Sequence, residues 1–273
     1  MSRFAARFAK LKADRRTALV PYVVAGDPGK KTTVPLMHAL VKAGADVIEL
    51  GVPFSDPSAD GPVIQAAQER ALAVGTTLKD VLAMVKEFRG TDLETPVVLM
   101  GYLNPVEAFG TEAFAKAAAE SGVDGVLTVD MPPEEAEPLR SLLRAKGVDP
   151  IFLLAPTTDD ARIRRITESA SGFVYYVSLK GVTGAAHLDV GAVRERLATL
   201  RRLTTLPVGV GFGVRDAATA AMLGQLADAV VVGSAVVSRM TEHKDDAVQM
   251  TASVQEFIKG LRLAMDAARS TGA

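Results

Sequence analysis

The chain has 273 residues, 48% of them hydrophobic and 23% charged, and a formal net charge of −1. That balance supports a packed core and excludes the one-sided basic excess of a nucleic-acid-binding surface. With no cysteine in the sequence, disulfides, thiolate catalysis and cysteine-based zinc sites are excluded as well. The N-terminal stretch MSRFAARFAKLKADRR places Phe4, Phe8 and Leu11 at i, i+4 and i+7 among basic residues. A targeting or membrane-surface helix would share that pattern, but the apolar stripe is narrow and lacks a continuous hydrophobic run. It predicts a short helix plugging the end of a domain. No apolar run approaches the ~18 residues of a membrane span, so the expected setting is cytoplasmic, with no membrane partner.

Further along, short runs rich in Val, Ile and Leu recur at 19–24, 47–50, 97–100, 125–129, 151–154, 173–177, 208–211 and 229–232. Most are continuous rather than alternating, which predicts strands buried on both faces of a parallel sheet. Segments with helical spacing lie between them, at 32–42, 78–88, 112–121, 134–145, 160–170, 191–203 and 216–226, and a last helix covers 247–268. Gly44, Gly122 and Gly147 each stand where a helix should stop before the next strand. Eight strands alternating with helices predict an α/β fold, a (β/α)8 TIM barrel with an extra N-terminal helix. An open doubly wound sheet is the competitor. No linker or shift in composition divides the chain, so residues 1–273 are expected to form a single domain.

In a barrel of this kind, chemistry belongs at the C-terminal ends of the strands. Those ends carry Glu49, with Asp56 and Asp60 in the loop that follows; Gly101–Pro105; Asp130–Pro133; Ser178–Gly184; Gly211–Gly213; and Gly233-Ser234. Glycines at successive loop starts, with a short helix opening at Ser234, suit a phosphate after strands seven and eight. Taken singly, each glycine is equally suited to turning the chain. Glu49 at a half-apolar mouth should have its charged form disfavoured, and Asp60 could reach the same substrate from above. A salt bridge for Glu49 and a turn role for Asp60 stay open on spacing alone, while Asp56 reads more simply as a solvated turn residue. His38, His187 and His243 are scattered, so no metal site is expected.

The stretch ELGVPFSDPSADGP at Glu49–Pro62 resembles the signature of the tryptophan synthase alpha chain family. So, in order, do PYVVAGDP from Pro21, GYLNP from Gly101, DMPPEE from Asp130, GVTGA from Gly181, GFGV from Gly211 and GSA from Gly233. The resemblance covers essentially the whole chain. It implies a barrel that cleaves indole-3-glycerol phosphate to indole and glyceraldehyde 3-phosphate. It also implies an αββα assembly with a beta chain that holds pyridoxal phosphate, and no cofactor in this chain. By resemblance, Glu49 is the acid/base group and Asp60 accepts a hydrogen bond from the indole N–H. Tyr175 and Thr183 would contact the substrate, and Gly184, Gly213, Gly233 and Ser234 would hold its phosphate. Tyr22, Met100, Leu127, Val129, Leu153, Phe212 and Val232 would wall the indole.

Asp56, Pro57, Asn104, Pro105, Asp130 and Pro132 would meet the partner chain. Many family members carry Arg after Ser178, where Leu179 and Lys180 stand here; Lys180 is expected to take over part of that role. Tyr22 replaces a common Phe, so its hydroxyl should need a partner at the pocket edge. The competing readings are a non-catalytic barrel that only activates a beta chain and another phosphosugar-binding barrel.

Overall fold

The eight apolar runs form eight strands: β1 at Ala18–Val24, β2 at Ile48–Gly51, β3 at Val97–Gly101, β4 at Gly125–Thr128, β5 at Asp149–Leu154, β6 at Val174–Val177, β7 at Val208–Gly211 and β8 at Ala229–Val232. The computed structural model describes residues 2–177, 190–211 and 213–270. Each strand pairs in parallel with its sequence neighbours, and β8 returns to β1 in the register Ala18↔Ala229 to Pro21↔Val232. That closure makes a (β/α)8 barrel and removes the open doubly wound alternative, which would leave two unpaired edges.

Twelve α-helices accompany the strands among the described residues. α1 covers Arg3–Ala13, α2 Thr33–Lys42, α3 Pro62–Ala73, α4 Leu78–Phe88, α5 Leu103–Phe109 and α6 Thr111–Ser121. α7 covers Glu137–Ala145, α8 Asp160–Ser169, α9 Val190–Leu203, α10 Ala217–Gly224, α11 Ser234–Glu242 and α12 Ala247–Ser270. α7 starts three residues later than the sequence predicts, because Pro138 then falls in the first turn. Starting at Glu134 would have put Pro138 where the helix needs a backbone donor. α10 is shorter than expected, opening after Asp216, which caps it by accepting from the Thr219 amide at 2.8 Å. α3 and α5 are additions to the expected pattern, and both lie in the loops above the barrel mouth.

Alternation along the strands separates two apolar layers. Leu19, Val23, Leu50 and Leu99 face outward into the shell of helices. Ala18, Val20, Val98, Leu127, Ile151 and Val231 face inward and pack with Phe4 and Leu11 of α1. The ring of Phe4 lies 5.6 Å from that of Phe173, and Phe8 lies 6.1 Å from the same ring. α1 therefore stoppers the N-terminal end of the barrel, as the narrow stripe predicts.

Around that stopper, aspartates just before strands perform a repeated task. Asp46 accepts from the Leu19 amide at 3.0 Å, Asp124 from the Val97 amide at 2.8 Å and Asp228 from the Val208 amide at 2.9 Å. Each carboxylate satisfies a donor near the start of the preceding strand, where the barrel would leave it unpaired. Asp124 also binds Arg89 at 2.6 Å and Arg3 of α1 at 2.9 Å, while Asp46 binds Arg262 at 3.1 Å. The N-terminal end is thus charge-rich, and these aspartates serve to hold the fold.

Candidate active site

At the opposite end, Glu49 extends inward from β2, beside Tyr22 of β1 and Val98 of β3 in the strand register. It is buried, at 2% exposure, and no described residue hydrogen-bonds its carboxyl group. Burial, with the charge of Asp60 adding to it, pushes the Glu49 carboxyl up to about 8. Near neutrality Glu49 therefore holds a proton that it can give away and take back.

Asp60 is treated differently. Its Oδ2 accepts from Gln68 Nε2 at 2.7 Å and from the Tyr102 hydroxyl at 2.9 Å. Burial raises its proton affinity, but both hydrogen bonds favour the charged form and oppose that rise. Both carboxyl groups are thus pushed the same way by burial, but only Asp60 has donors that counter the push, a difference of environment that can divide proton-donating and charge-stabilising roles. The Asp60 loop is itself tied down. The Ala59 amide donates to Tyr102, and Gln65 Nε2 donates to the Asp60 carbonyl at 2.9 Å. The Phe54 and Tyr102 rings lie 5.2 Å apart.

Two tyrosines roof the barrel interior. Tyr22 and Tyr175 are buried, and both hydroxyls resist ionisation, because of burial first and the two carboxyl groups second. The Tyr22 ring lies over Gly51, and the Tyr175 ring over Gly211. A Cβ at either glycine would run into the tyrosine hydroxyl. Gly211→Ala should therefore displace Tyr175, lower turnover of the folded protein about 10-fold or more and cost about 1–3 kcal/mol of stability. Steady-state kinetics beside a thermal melt test this, and unchanged turnover would detach Tyr175 from the reaction. The partner expected for the Tyr22 hydroxyl is not found: no described residue hydrogen-bonds it.

Of the expected walls, Met100, Val129, Leu127 and Leu153 lie in or against the inward cluster, with Met100 also reaching Tyr22. Val232 does not join them. It faces outward into the helical shell, and Val231 takes the inward position. Counting by twos from Ala229, an inward residue, gives Val231, so the strand period carried the right answer. Thr183, Gly184 and Phe212, together with Lys180 and His187, lie outside the described residues.

The end expected to hold a phosphate is built from adjacent strands. Gly213 has φ +85°, and Gly233 is the N-cap of α11. The Gly233 carbonyl accepts from the Val236 and Val237 amides, so the amides of Ser234 and Ala235 open outward from the first turn. Ser234 is exposed and Gly233 half-buried, the geometry that receives an anion.

The residues expected at a partner surface cluster on the same end. Asp56 and Asn104 are exposed, and Pro57, Pro105 and Pro132 are half-buried. Asp56 accepts from its neighbour Ser55, and Asp130 accepts from the Leu103 amide at 2.9 Å, joining the loops after β3 and β4. Sequence reasoning passed over Tyr102, Gln65 and Gln68. The available signal was Gln68, a polar side chain inside the apolar face formed by Ile64, Ala67 and Ala71.

With this geometry in view, the likeness to known proteins is direct. The sequence model of the tryptophan synthase alpha chain matches residues 8–266. The tryptophan synthase alpha chain of Thioalkalivibrio sulfidiphilus is 65% identical over 97% of this chain and 100% of its own length. That of Nitrosococcus oceani is 60% identical over 98% of each. Among solved structures, tryptophan synthase subunit alpha from Legionella pneumophila superposes with a TM-score of 0.91 at 43% identity, covering 98% of this chain and 99% of its own. A chain of the tryptophan synthase complex from Pyrococcus furiosus gives 0.81 at 38% identity, covering 90% and 98%. On its barrel, its mouth and its whole-length likeness, this chain belongs to the tryptophan synthase alpha chain family.

Proposed function

We propose that Glu49 and Asp60 carry the alpha reaction of tryptophan synthase in this chain, the retro-aldol cleavage of indole-3-glycerol phosphate to indole and glyceraldehyde 3-phosphate. The observation that carries the reading is the unequal pair: a buried, proton-holding Glu49 with no described donor, and an Asp60 supplied with two hydrogen bonds. The cleavage needs one proton delivered and one removed. Protonated Glu49 gives its proton to indole C3, interrupting the aromatic system and leaving positive charge toward the ring nitrogen. Asp60 stabilises that charge through the ring N–H. Glu49, now a carboxylate, takes the proton of the glyceryl hydroxyl. The O–H electrons form the aldehyde C=O as the C–C bond breaks, and its electrons return to the ring to regenerate indole. Tyr175 borders the glyceryl chain, and the amides of Ser234 and Ala235 with Gly213 receive the phosphate.

The chain acts as the alpha subunit in tryptophan biosynthesis and needs no cofactor of its own; pyridoxal phosphate belongs to the beta subunit that takes up the indole. Asp56, Pro57, Asn104, Pro105, Asp130 and Pro132 form the proposed contact with that subunit, supported by their grouping at the barrel mouth. The reading extends to residues 1–273 as one domain, supported by the closure of β8 on β1 and by α12 packing on α2, α10 and α11. No described helix is long and apolar enough to cross a membrane. A cytoplasmic setting is proposed because a phosphorylated substrate is retained where it is made.

The test supplies indole-3-glycerol phosphate to the wild-type chain with a beta chain in excess and follows indole and aldehyde release. Stoichiometric release is expected. Removing the phosphate from the substrate should raise KM by about 100-fold, more than it lowers kcat. A folded chain that binds glycerol phosphate yet releases no indole would show the reading to be wrong.

A further inference from the structure

The geometry points to Gln68 as the positioning residue that holds the Asp60 carboxylate in its working orientation, with one oxygen occupied and the other kept for substrate. This rests on the role given to Asp60 above.

Gln68 lies in α3 at 2% exposure, among apolar neighbours that pack on Tyr22 and Val24. A buried amide is costly unless its hydrogen bonds are made, and an aliphatic side chain would fill that space at less cost. Both ends of the Gln68 amide are used. Oε1 accepts from the Phe54 amide at 3.0 Å, and Nε2 donates to Asp60 Oδ2 at 2.7 Å. The first bond settles the orientation of the second. A backbone N–H can only donate, so the amide oxygen must face Phe54 and the NH2 must face Asp60.

The other ligand of the same oxygen is Tyr102, at 2.9 Å. Its hydroxyl accepts from the Ala59 amide, which directs its own proton to Asp60. Asp60 Oδ2 is therefore saturated by two neutral donors, while no described residue donates to Oδ1. That leaves Oδ1 to meet a ring N–H.

Among the described residues, the titratable groups facing Asp60 are Glu49 from β2, Tyr22 from β1, Tyr102 after β3 and Tyr175 from β6, and none of them is a cation. Within that set, the two donors are what favour the charged form of the Asp60 carboxyl against its burial. Gln68 also spans from Asp60 to the start of the loop at Phe54, so it fixes the acid relative to the chain segment that carries it.

Two substitutions separate this role from simple packing. Gln68→Glu keeps the shape and the acceptor for the Phe54 amide, but replaces the donor with a second carboxyl group. Gln68→Met keeps volume and removes both bonds. Indole release is followed for both variants and wild type between about pH 5.5 and 9. The acid limb of kcat/KM, where Asp60 takes up its proton, should move up by about one pH unit in Gln68→Met and further in Gln68→Glu. At neutral pH, kcat should fall about 10-fold or more in Gln68→Glu, with KM for the substrate changed much less. Thermal melts confirm that both variants are folded.

If Gln68→Glu matches the wild-type pH profile and turnover while Gln68→Met loses both, Gln68 is an anchor for Phe54 and the proposal is overturned. If both variants match wild type, it is overturned as well. Wild type releasing no indole would instead be a failure of the function proposed above, visible before any variant is compared.

Discussion

Glu49→Gln should abolish indole release, by about 10³-fold or more, while making the protein more resistant to unfolding in alkali. The first effect follows from asking one group both to give and to take a proton, which an amide cannot do. The second follows from its burial. In the fold the Glu49 carboxyl is pushed up to about 8, whereas in the unfolded chain it returns to the ordinary range near 4.3. Between those two values the unfolded state releases a proton that the folded state keeps, so the fold is progressively disfavoured as pH rises, and the penalty levels off above the folded value. The full difference is on the order of a few kcal/mol.

Gln has no such penalty. The stability gap between Glu49→Gln and wild type should therefore widen from about pH 5 to about pH 8 and then stay constant. Urea unfolding at a series of pH values measures the gap directly. A gap that does not vary with pH would mean that Glu49 is not held as the neutral acid, and the order of proton transfers would need to be reversed.

Asp124→Ala should have the opposite character, costing about 3–5 kcal/mol of stability and nothing in chemistry. Asp124 is the shared acceptor for the Val97 amide, Arg89 and Arg3. Removing it leaves a buried backbone donor unsatisfied and takes away the close carboxylate of a guanidinium whose side chain is only 8% exposed. The carbonyls of Gly122 and Thr95 still hold Arg89, and Asp92 remains at 3.9 Å, a weaker counter-charge than the partner lost at 2.6 Å. Arg3→Ala, by contrast, removes a partner that is one-third exposed, and should cost no more than about 1 kcal/mol. Denaturant midpoints for the two variants, with turnover per folded molecule, make the comparison. Turnover lost in Asp124→Ala in proportion to more than the unfolded fraction would contradict the separation of a structural end from a chemical one.

Much of this was written plainly in the residues. Continuous apolar runs announce strands buried on both faces. Spacing leaves a salt bridge for Glu49 and a turn role for Asp60 open, and it is the likeness of Glu49–Pro62 to a family signature that singles the two out. What escaped reading shares a different property, which is that its meaning depends on a distant partner. Asp46, Asp124 and Asp228 look like ordinary turn residues until the preceding strand's amide is placed beside them. Gln68 looks like a surface side chain on a helix until α3 is laid over the barrel mouth. Val232, named as a wall by resemblance, faces outward, and the strand's period of two points to Val231 instead. Helix starts slipped where proline set the limit, as at Glu137.

The tyrosine–glycine stacking has a consequence for how this pocket can change. Tyr22 with Gly51, and Tyr175 with Gly211, each behave as one unit of volume shared between two positions. Enlarging the glycine alone creates a collision, and trimming the tyrosine alone opens a hole, so single substitutions at either position are penalised while a matched exchange is tolerated. Effects within each pair should be strongly non-additive. A library that varies these positions one at a time will find the pocket immutable; one that varies them in pairs can move the volume from one strand to the next and reshape the space offered to the indole ring.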